Sequence, residues 1–134
     1  MAHNRIVLGT YPGAEHSEHW PVIEALLAKA AFGSSVFDPG DTVWVAIEDG
    51  RIIAAATTQM LDNGNAELCH VAGERAREWV AEWDAMICHW ARAQGAKNIT
   101  TRGRKGWKRL GKPLGWRITG GPDEYGRMTY MKVL

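Results

Sequence analysis

The order of apolar and polar residues predicts a chain that alternates strands and helices. Short runs of β-branched and aromatic residues bounded by Gly, Pro, Asn and Asp indicate strands, whereas apolar residues repeating every three to four positions indicate helices. The Asp49-Gly50 pair between two such runs predicts a hairpin. The predicted strands are residues 5–8, 43–47, 52–58, 66–72, 98–101, 115–118 and 127–134. The predicted helices are residues 18–32, 75–94 and 106–110.

The helix over residues 75–94 has the clearest pattern. One helical face carries only large apolar residues, namely Trp79, Trp83, Met86, Ile87 and Trp90. Gly95 follows as a typical helix terminator. A row of tryptophans is also a platform on which nucleic-acid bases can stack, but at helical spacing it is far more often part of a core. We therefore predict that this stripe packs against a sheet.

Residues 66–101 are predicted to form a strand, a helix and a second strand. Such a unit makes a right-handed crossover, so its two strands should be parallel neighbours in one sheet. Only Gly73-Glu74-Arg75-Ala76 separates the first strand from the predicted helix. The amides at a helix N-terminus attract anions. The junction is therefore a candidate site for a phosphate-bearing ligand.

The order of these elements is similar to that of the GNAT acetyltransferase superfamily over nearly the whole chain. Residues 67–72 look like the family's fourth strand, and Leu114-Gly115-Trp116-Arg117 looks like its Leu-Gly-Phe signature. Residues 103–107 also resemble a segment of small GNAT-like proteins encoded by phages and prophages. The resemblance implies an α/β fold, a single GNAT-like domain over residues 1–134. Its mixed, splayed sheet would have about six to seven strands, with helices on both faces.

The same resemblance implies a function. The chain would be an acyl-CoA-dependent N-acyltransferase or a degenerate relative, phage or prophage derived, with acetyl-CoA as its acyl donor and an unspecified small-molecule or protein amine as acceptor. In the family, the backbone of the fourth strand holds the pantetheine arm, which implicates Leu68, His70 and Val71. The loop after it holds the pyrophosphate, which implicates Gly73, Arg75, Ala76 and Arg77. This loop departs from the family pattern, because it keeps one glycine, adds Glu74 and is several residues shorter.

Acetyl transfer to an amine requires a base for the amine proton and an acid for the leaving thiolate. Glu67 is the candidate base because it begins the fourth strand, and the alternative is a carboxylate at an exposed strand end. The position where many family members have a tyrosine is Gly111. The acid would then be Tyr125 or Tyr130, and both could instead be packing residues.

The charges are unevenly distributed along the chain. Residues 1–96 contain six Lys or Arg against thirteen Asp or Glu, whereas residues 97–134 contain ten against two. Such a basic block attracts a polyanion. The candidate residues for nucleic acid or phosphate are Arg102, Arg104, Lys105, Trp107, Lys108 and Arg109. The alternatives are a solvated basic face and a face that pairs with acidic residues.

This block gives an alternative function. The chain would be a non-catalytic phage accessory protein with the GNAT fold, binding nucleic acid or another phage protein through its basic C-terminal region. In a GNAT fold the same residues would border the cleft that holds coenzyme A, which is a further interpretation of the basic block.

The cysteines and the hydropathy of the chain bear on three further properties: disulfide formation, metal binding and membrane insertion. Cys69 and Cys88 are expected to be buried free thiols, which fits a reducing cytoplasm. Neither Cys69-His70 nor Cys88-His89 can chelate one metal ion, because neighbouring side chains diverge on a strand and on a helix. A pair such as Cys69 with His89 stays open, but we expect no metal. No apolar run is long enough for a membrane span, so no membrane partner is expected.

Overall fold

The computed structural model describes residues 5–134, which form one seven-stranded sheet with helices on both faces. The strands are β1 (Ile6–Thr10), β2 (Thr42–Glu48), β3 (Arg51–Met60), β4 (Ala66–Gly73), β5 (Asn98–Gly103), β6 (Arg117–Gly120) and β7 (Met128–Val133). The α-helices are α1 (Trp20–Ala31), α2 (Val80–Ala93) and α3 (Trp107–Gly111). Short 3-10 turns occupy Ala14–His16, Ala76–Glu78 and Lys112–Leu114.

The strands lie in the order β1-β2-β3-β4-β5-β7-β6. All neighbouring pairs are antiparallel except β4 and β5, which are parallel. The predicted α/β class, mixed sheet and parallel pair are therefore confirmed. The crossover helix α2 connects the two parallel strands, as a right-handed unit requires.

Each face of the sheet has its own apolar core. On one face, α1 inserts Ile23 and Leu27 against the strands, both with no exposed surface. On the other face, Trp79 and Trp83 pack edge-to-face at 4.7 Å between ring centroids and are 1% exposed. Trp90, partly buried, meets Trp44 of β2 in the same geometry. The predicted packing of the tryptophan stripe against the sheet is confirmed.

A β-bulge in β4 shapes the centre of the sheet. In the pairing with β3, Thr57 lies opposite His70 while Thr58 lies opposite Leu68, so Cys69 is the extra residue. A bulge bends its strand and increases its local twist. The parallel pairing of β4 with β5 covers only Ala66–Leu68 and stops at this bulge. Beyond it the two strands separate.

The junction before α2 is longer than the sequence predicted. The α-helix begins at Val80, so the predicted start at residue 75 is wrong, and six residues, 74–79, lie between β4 and α2. Arg75 adopts a left-handed backbone (φ 56°), and Trp79 is also non-helical (φ −133°). The indole of Trp79 donates a hydrogen bond to the carbonyl of Glu74 at 2.8 Å. This contact folds the junction back on itself and delays the start of the helix.

Other boundaries moved by one or two residues. α1 begins at Trp20 rather than at residue 18, because Ser17 ends the preceding 3-10 turn and its hydroxyl donates to the carbonyl of Ala14. β6 begins at Arg117, since Gly115 (φ 96°) closes the turn after α3. No helix within residues 5–134 is long and apolar enough to cross a membrane.

Candidate active site between β4 and β5

The separation of β4 from β5 leaves backbone groups of β4 facing an opening. The amide of Glu74 donates to the carbonyl of Ile53 in β3 at 3.1 Å. Because backbone polar groups alternate sides along a strand, those of Val71 and Gly73 point away from β3. The β5 pairing has ended by then. The opening therefore offers hydrogen-bond donors and acceptors to an extended ligand.

On the α2 face, the opening leads into a small apolar cavity of about 70 Å³. Leu68 and Val71 of β4 line it together with four tryptophans, Trp79, Trp83, Trp107 and Trp116. The hydroxyl of Thr101 donates to the carbonyl of Leu68 at 2.7 Å, which ties the two strands together at the end of their pairing.

Among residues 5–134, Asp84 is the one carboxylate that lines the apolar cavity, and both of its oxygens accept hydrogen bonds. It accepts a hydrogen bond from the indole of Trp116 and one from the ammonium of Lys132, both at 2.6 Å. The side chains of Asp84 and Lys132 are 10% and 16% exposed. This cluster joins α2 to β7 and to the start of β6. Asp84 is thus structural.

On the α1 face, the opening leads into a polar cavity of about 420 Å³. Its lining holds one carboxylate, Glu67, and two arginines, Arg102 and Arg127. Glu67 lies 3.5 Å from the amide nitrogen of Gln59. The hydroxyl-bearing residues Thr100, Thr101 and Thr129 complete this polar surface. Charged groups of both signs therefore surround the place where β4 and β5 separate.

Arg127 is held in a fixed position. Its Nε donates to Asp123 at 2.9 Å, and its guanidinium carbon lies 4.9 Å from the ring centre of Phe32 and 5.3 Å from that of Tyr125. Although burial opposes it, hydrogen bonds from the backbone and side chain of Arg127 and from the Tyr125 amide hold the pKa of Asp123 below its ordinary value. The carboxylate of Asp123 therefore stays ionised to lower pH than an ordinary aspartate, and the salt bridge persists with it.

A second set of polar groups lies behind Glu67. Asp41 Oδ1, Thr57 Oγ1 and His70 Nδ1 are buried and find no hydrogen-bond partner among the described residues. Burial raises the pKa of Asp41, and the nearby carboxylates of Asp38 and Glu67 add to the effect. Burial likewise raises the pKa of the Cys69 thiol. A polar environment that lacks partners is a place where a water or a polar ligand is stabilised.

The mouth of the opening is basic. A cavity of about 250 Å³ there is lined by Gly73, Lys29, Arg102 and Arg104, and none of the described acidic residues lines it. By contrast, Arg75 contacts Glu48 at 2.6 Å and Glu78 at 3.2 Å, so its charge is neutralised within the protein. Arg77 is exposed and forms no ion pair within residues 5–134. Of the two arginines predicted to hold phosphate, Arg77 is the one with a free charge.

The bulge in β4 directs the predicted pantetheine-binding residues to different places. Leu68 and Val71 lie at the opening, whereas the Nε2 of His70 contacts the carbonyl of Ser35 at 2.8 Å, beneath the loop after α1. Gly73 has a structural reason to be glycine, because a Cβ there would lie 2.3 Å from the Cβ of Ala54. Ala76 begins the 3-10 turn before α2.

The predicted acids do not share the cavity of Glu67. Tyr130 is 3% exposed on the α2 face, and its hydroxyl donates to the carbonyl of Arg104 at 2.7 Å. Burial raises its pKa. Tyr125 is 52% exposed and stacks against Phe32 at 5.4 Å. The structure therefore places Glu67, but neither tyrosine, in the polar cavity.

The basic block lies on β5, α3 and the turn after α3. All eight Lys and Arg residues between positions 97 and 117 are exposed, and none forms an ion pair with another described residue. Within this block, Arg102, Arg104, Lys105, Lys108 and Arg109 present free charges. Trp107 instead turns inward, where its ring would lie 3.0 Å from a Cβ at Gly103.

Sequence reasoning missed Arg127, Asp41 and Phe32. The sequence alone contained a weak signal for Arg127, since Asp123 precedes it by four residues in a turn-rich segment. Nothing in the sequence indicated that α1 would bring Phe32 beneath it. Among residues 5–134, no three His, Cys, Asp or Glu side chains are placed to hold a metal ion. Both cysteines are free thiols.

The fold is that of known acetyltransferases. No protein-family model matches the sequence, and no curated protein matches it significantly. Among solved structures, a GNAT family acetyltransferase from Elizabethkingia anophelis with acetyl-CoA bound is similar with a TM-score of 0.74 and 15% identity, over 96% of this chain and 98% of that one. A Bacillus subtilis acetyltransferase in complex with CoA is similar with a TM-score of 0.71 and 13% identity, over 98% and 99% of the two chains.

A third example is the ribosomal-protein-S18-alanine N-acetyltransferase from Escherichia coli, with a TM-score of 0.66 and 15% identity over 96% of this chain and 94% of that one. At such identities the likeness shows the fold. The chain has the GNAT acetyltransferase fold, which confirms the predicted fold class, and structures that share it contain acetyl-CoA or CoA.

Proposed function

We propose that this protein is an acyl-CoA-dependent N-acyltransferase that transfers an acetyl group to an amine. The observation that carries the proposal is the opening between β4 and β5, where the backbone of Val71 and Gly73 is left without a strand partner. Unpaired backbone groups on an inner strand cost stability unless water or a ligand satisfies them. An extended pantetheine arm, with its amides, is a ligand of matching chemistry.

The residues around the opening suit the two ends of an acyl-CoA. Leu68 and Val71 would contact the arm, and the junction before α2 would hold the phosphates. The backbone amides of Ala76 and Arg77 donate to no backbone carbonyl within residues 5–134, and the helix dipole of α2 favours negative charge at this end. Arg77 adds a free cation. Arg75, paired with Glu48, would position the junction.

Acetyl-CoA supplies an acetyl thioester, whose carbonyl carbon is the electrophile for an amine. Glu67 would accept the proton of the attacking amine, because it lines the cavity at the point where β4 and β5 separate. The acid that protonates the leaving thiolate stays a prediction for Tyr125 or Tyr130. The hydroxyl of Tyr130 already donates to the carbonyl of Arg104, so it would first have to exchange that partner.

The test separates binding from chemistry. Calorimetric titration with acetyl-CoA should show binding to the wild type and to Glu67→Gln alike. Acetylation of an amine panel should be slower by about a hundredfold in Glu67→Gln, the usual size of a general-base contribution. Glu82→Gln, on the exposed side of α2, is the matched control and should retain the wild-type rate. Absence of acetyl-CoA binding at millimolar concentration would overturn the proposal.

A second function is supported by the free charges of the basic block. As a polyanion-binding protein, the chain would bind nucleic acid through Arg104, Lys105, Lys108 and Arg109. Its affinity would fall by about 0.9 log units per log unit of salt for each phosphate neutralised on duplex DNA. Replacing the four residues together should flatten that slope. If the replacements weaken acetyl-CoA binding and leave DNA binding unchanged, the block belongs to the coenzyme site. Binding of a phage protein, phage or prophage origin and a cytoplasmic location stay predictions from the sequence.

A further inference from the structure

The polar cavity on the α1 face carries charges that define an acceptor. Its lining has a carboxylate on β4, Glu67, and two arginines on the other side of the opening, Arg102 of β5 and Arg127 before β7. The cavity at the adjoining mouth adds Lys29 and Arg104 and, within the described part of the chain, no acidic residue. Four cations and one carboxylate therefore line these two cavities among the described residues, while Asp123, the partner of Arg127, lies outside the lining.

Arg127 has the features of a built anion site. The carboxylate of Asp123 accepts a hydrogen bond from the Nε of Arg127. It also accepts hydrogen bonds from the backbone amides of Tyr125 and Arg127, which fix the turn around the arginine. The rings of Phe32 and Tyr125 support the guanidinium plane, and the Arg127 side chain is only 14% exposed. No described residue accepts a hydrogen bond from its two terminal nitrogens. A guanidinium fixed at one edge and free at the other suits bidentate binding of an oxyanion.

The spacing fits a small acceptor with two charged ends. Glu67 is paired across the strands with Thr100, and Arg102 lies two residues further along β5 on the same face. Strand geometry places the Cα atoms of Glu67 and Arg102 about 8 Å apart, and Arg127 is further out. An amine at Glu67 and an oxyanion at the arginines would then be separated by a few bonds.

We propose that the acceptor of this protein is a primary amine that also carries an oxyanion group, a carboxylate or a phosphate, and that Arg127 and Arg102 bind this group. The inference rests on the proposed acyl transfer for the role of Glu67. Its binding part does not depend on catalysis, because the charges and the cavity are present whether or not transfer occurs.

The experiment compares acceptors that differ only in the oxyanion. 4-Aminobutanoate is compared with 4-aminobutanamide for the carboxylate, and 3-aminopropyl phosphate with 3-aminopropanol for the phosphate. With acetyl-CoA present, kcat/KM should be higher for the acidic member of at least one pair by about tenfold, the usual effect of one charge-assisted hydrogen bond. Whichever pair shows the larger ratio identifies the oxyanion.

The variants locate the effect. Arg127→Met and Arg102→Gln should each reduce the ratio of kcat/KM for the acidic acceptor to kcat/KM for the neutral one by about tenfold. Arg127→Lys should reduce this ratio less, since lysine keeps the charge but cannot donate two parallel hydrogen bonds as a guanidinium does. Arg92→Met, at the exposed end of α2, is the matched control and should leave the ratio unchanged. Since Arg127 also packs on Phe32, Arg102→Gln keeps the test valid if Arg127→Met fails to fold.

Failure of this inference differs from failure of the proposed function. Equal rates for acidic and neutral amines in the wild type, or ratios unaffected by both arginine variants, would overturn the acceptor assignment and leave acyl transfer intact. If no amine is acetylated, calorimetry with the same four compounds decides. Tighter binding of an acidic compound that is lost in Arg102→Gln supports the assignment, and equal binding of all four overturns it.

Discussion

The two sides of the opening between β4 and β5 differ in composition and in the state of their polar groups. On the α2 side, the cavity is apolar, and its carboxylate, Asp84, is engaged by Lys132 and Trp116. On the α1 side, the cavity is larger and polar, and buried atoms of Asp41, Thr57 and His70 are without partners among the described residues. On the α2 side one buried polar atom, Trp83 Nε1, lacks a partner among the described residues, whereas the α1 side has three such atoms.

The difference arises at β4, whose irregular backbone lies between a stabilising apolar cavity and a polar cavity with free hydrogen-bonding groups. The bulge at Cys69 ends the β5 pairing and gives β4 an exposed backbone between the two cavities. On the α2 side, the hydrogen bonds of Asp84 with Trp116 and Lys132 rigidify the frame, and on the α1 side the three unsatisfied atoms are available for a ligand. The comparison predicts that substitutions on the α2 side and at the strand act on stability, whereas those on the α1 side act on binding and on pH dependence.

The largest expected change in stability follows from replacing Asp84, the carboxylate bound by Lys132 and Trp116. Asp84→Ala should lower the free energy of unfolding by up to about 3 kcal/mol, because it leaves the largely buried ammonium of Lys132, 16% exposed, without a partner. Urea denaturation measures the change. The double variant Asp84→Ala with Lys132→Met should recover part of the loss, since it also removes the stranded charge. A loss below about 1 kcal/mol in the single variant would contradict the structural role of this pair.

The next effect concerns the strand itself. Gly73→Ala places a methyl group 2.3 Å from the Cβ of Ala54 and 2.7 Å from the carbonyl of Ile53. Such overpacking should cost about 1–3 kcal/mol or more. Gly106→Ala is the matched control, because Gly106 has φ −59° and no atom within 4 Å of an added Cβ. Equal melting temperatures for the two variants would show that β4 is free to move away from β3.

The smallest effect tests the polar side through pH. Burial raises the pKa of Asp41 above its ordinary value of 3.8, so the folded protein holds this proton more tightly than the unfolded chain. The associated stability is fully present below 3.8 and is lost as pH rises through the folded pKa. An asparagine at position 41 does not ionise, so Asp41→Asn does not lose this stability as the pH rises. Between pH 3.5 and 7, the free energy of unfolding of the variant should therefore increase relative to that of the wild type, as measured by urea titration. A constant difference over this range would show that Asp41 ionises as freely when folded as when unfolded.

The elements and the fold class could be predicted because their signals are local. The tryptophan spacing in α2, the Asp49-Gly50 turn and the strand–helix–strand order each lie within a few turns or strands of sequence. Leu68, Val71 and Glu67 were predicted to lie near a ligand, and the structure places them at the opening. The boundary of α2 was wrong, because a contact between the Trp79 side chain and the Glu74 backbone decides it.

What the sequence determined by itself is the succession of strands and helices, since hydrophobic period and turn residues act over short distances. Only the tertiary structure decided which charges remain free. Arg75 and Arg77 are indistinguishable in the sequence, yet one meets Glu48 of β2 and the other meets solvent. Arg127 pairs with Asp123 through its Nε, and the Phe32 ring at the end of α1 lies beneath its guanidinium, so its terminal nitrogens are fixed in position. The opening itself depends on a one-residue difference between β4 and β3, which appears only when two distant strands are paired.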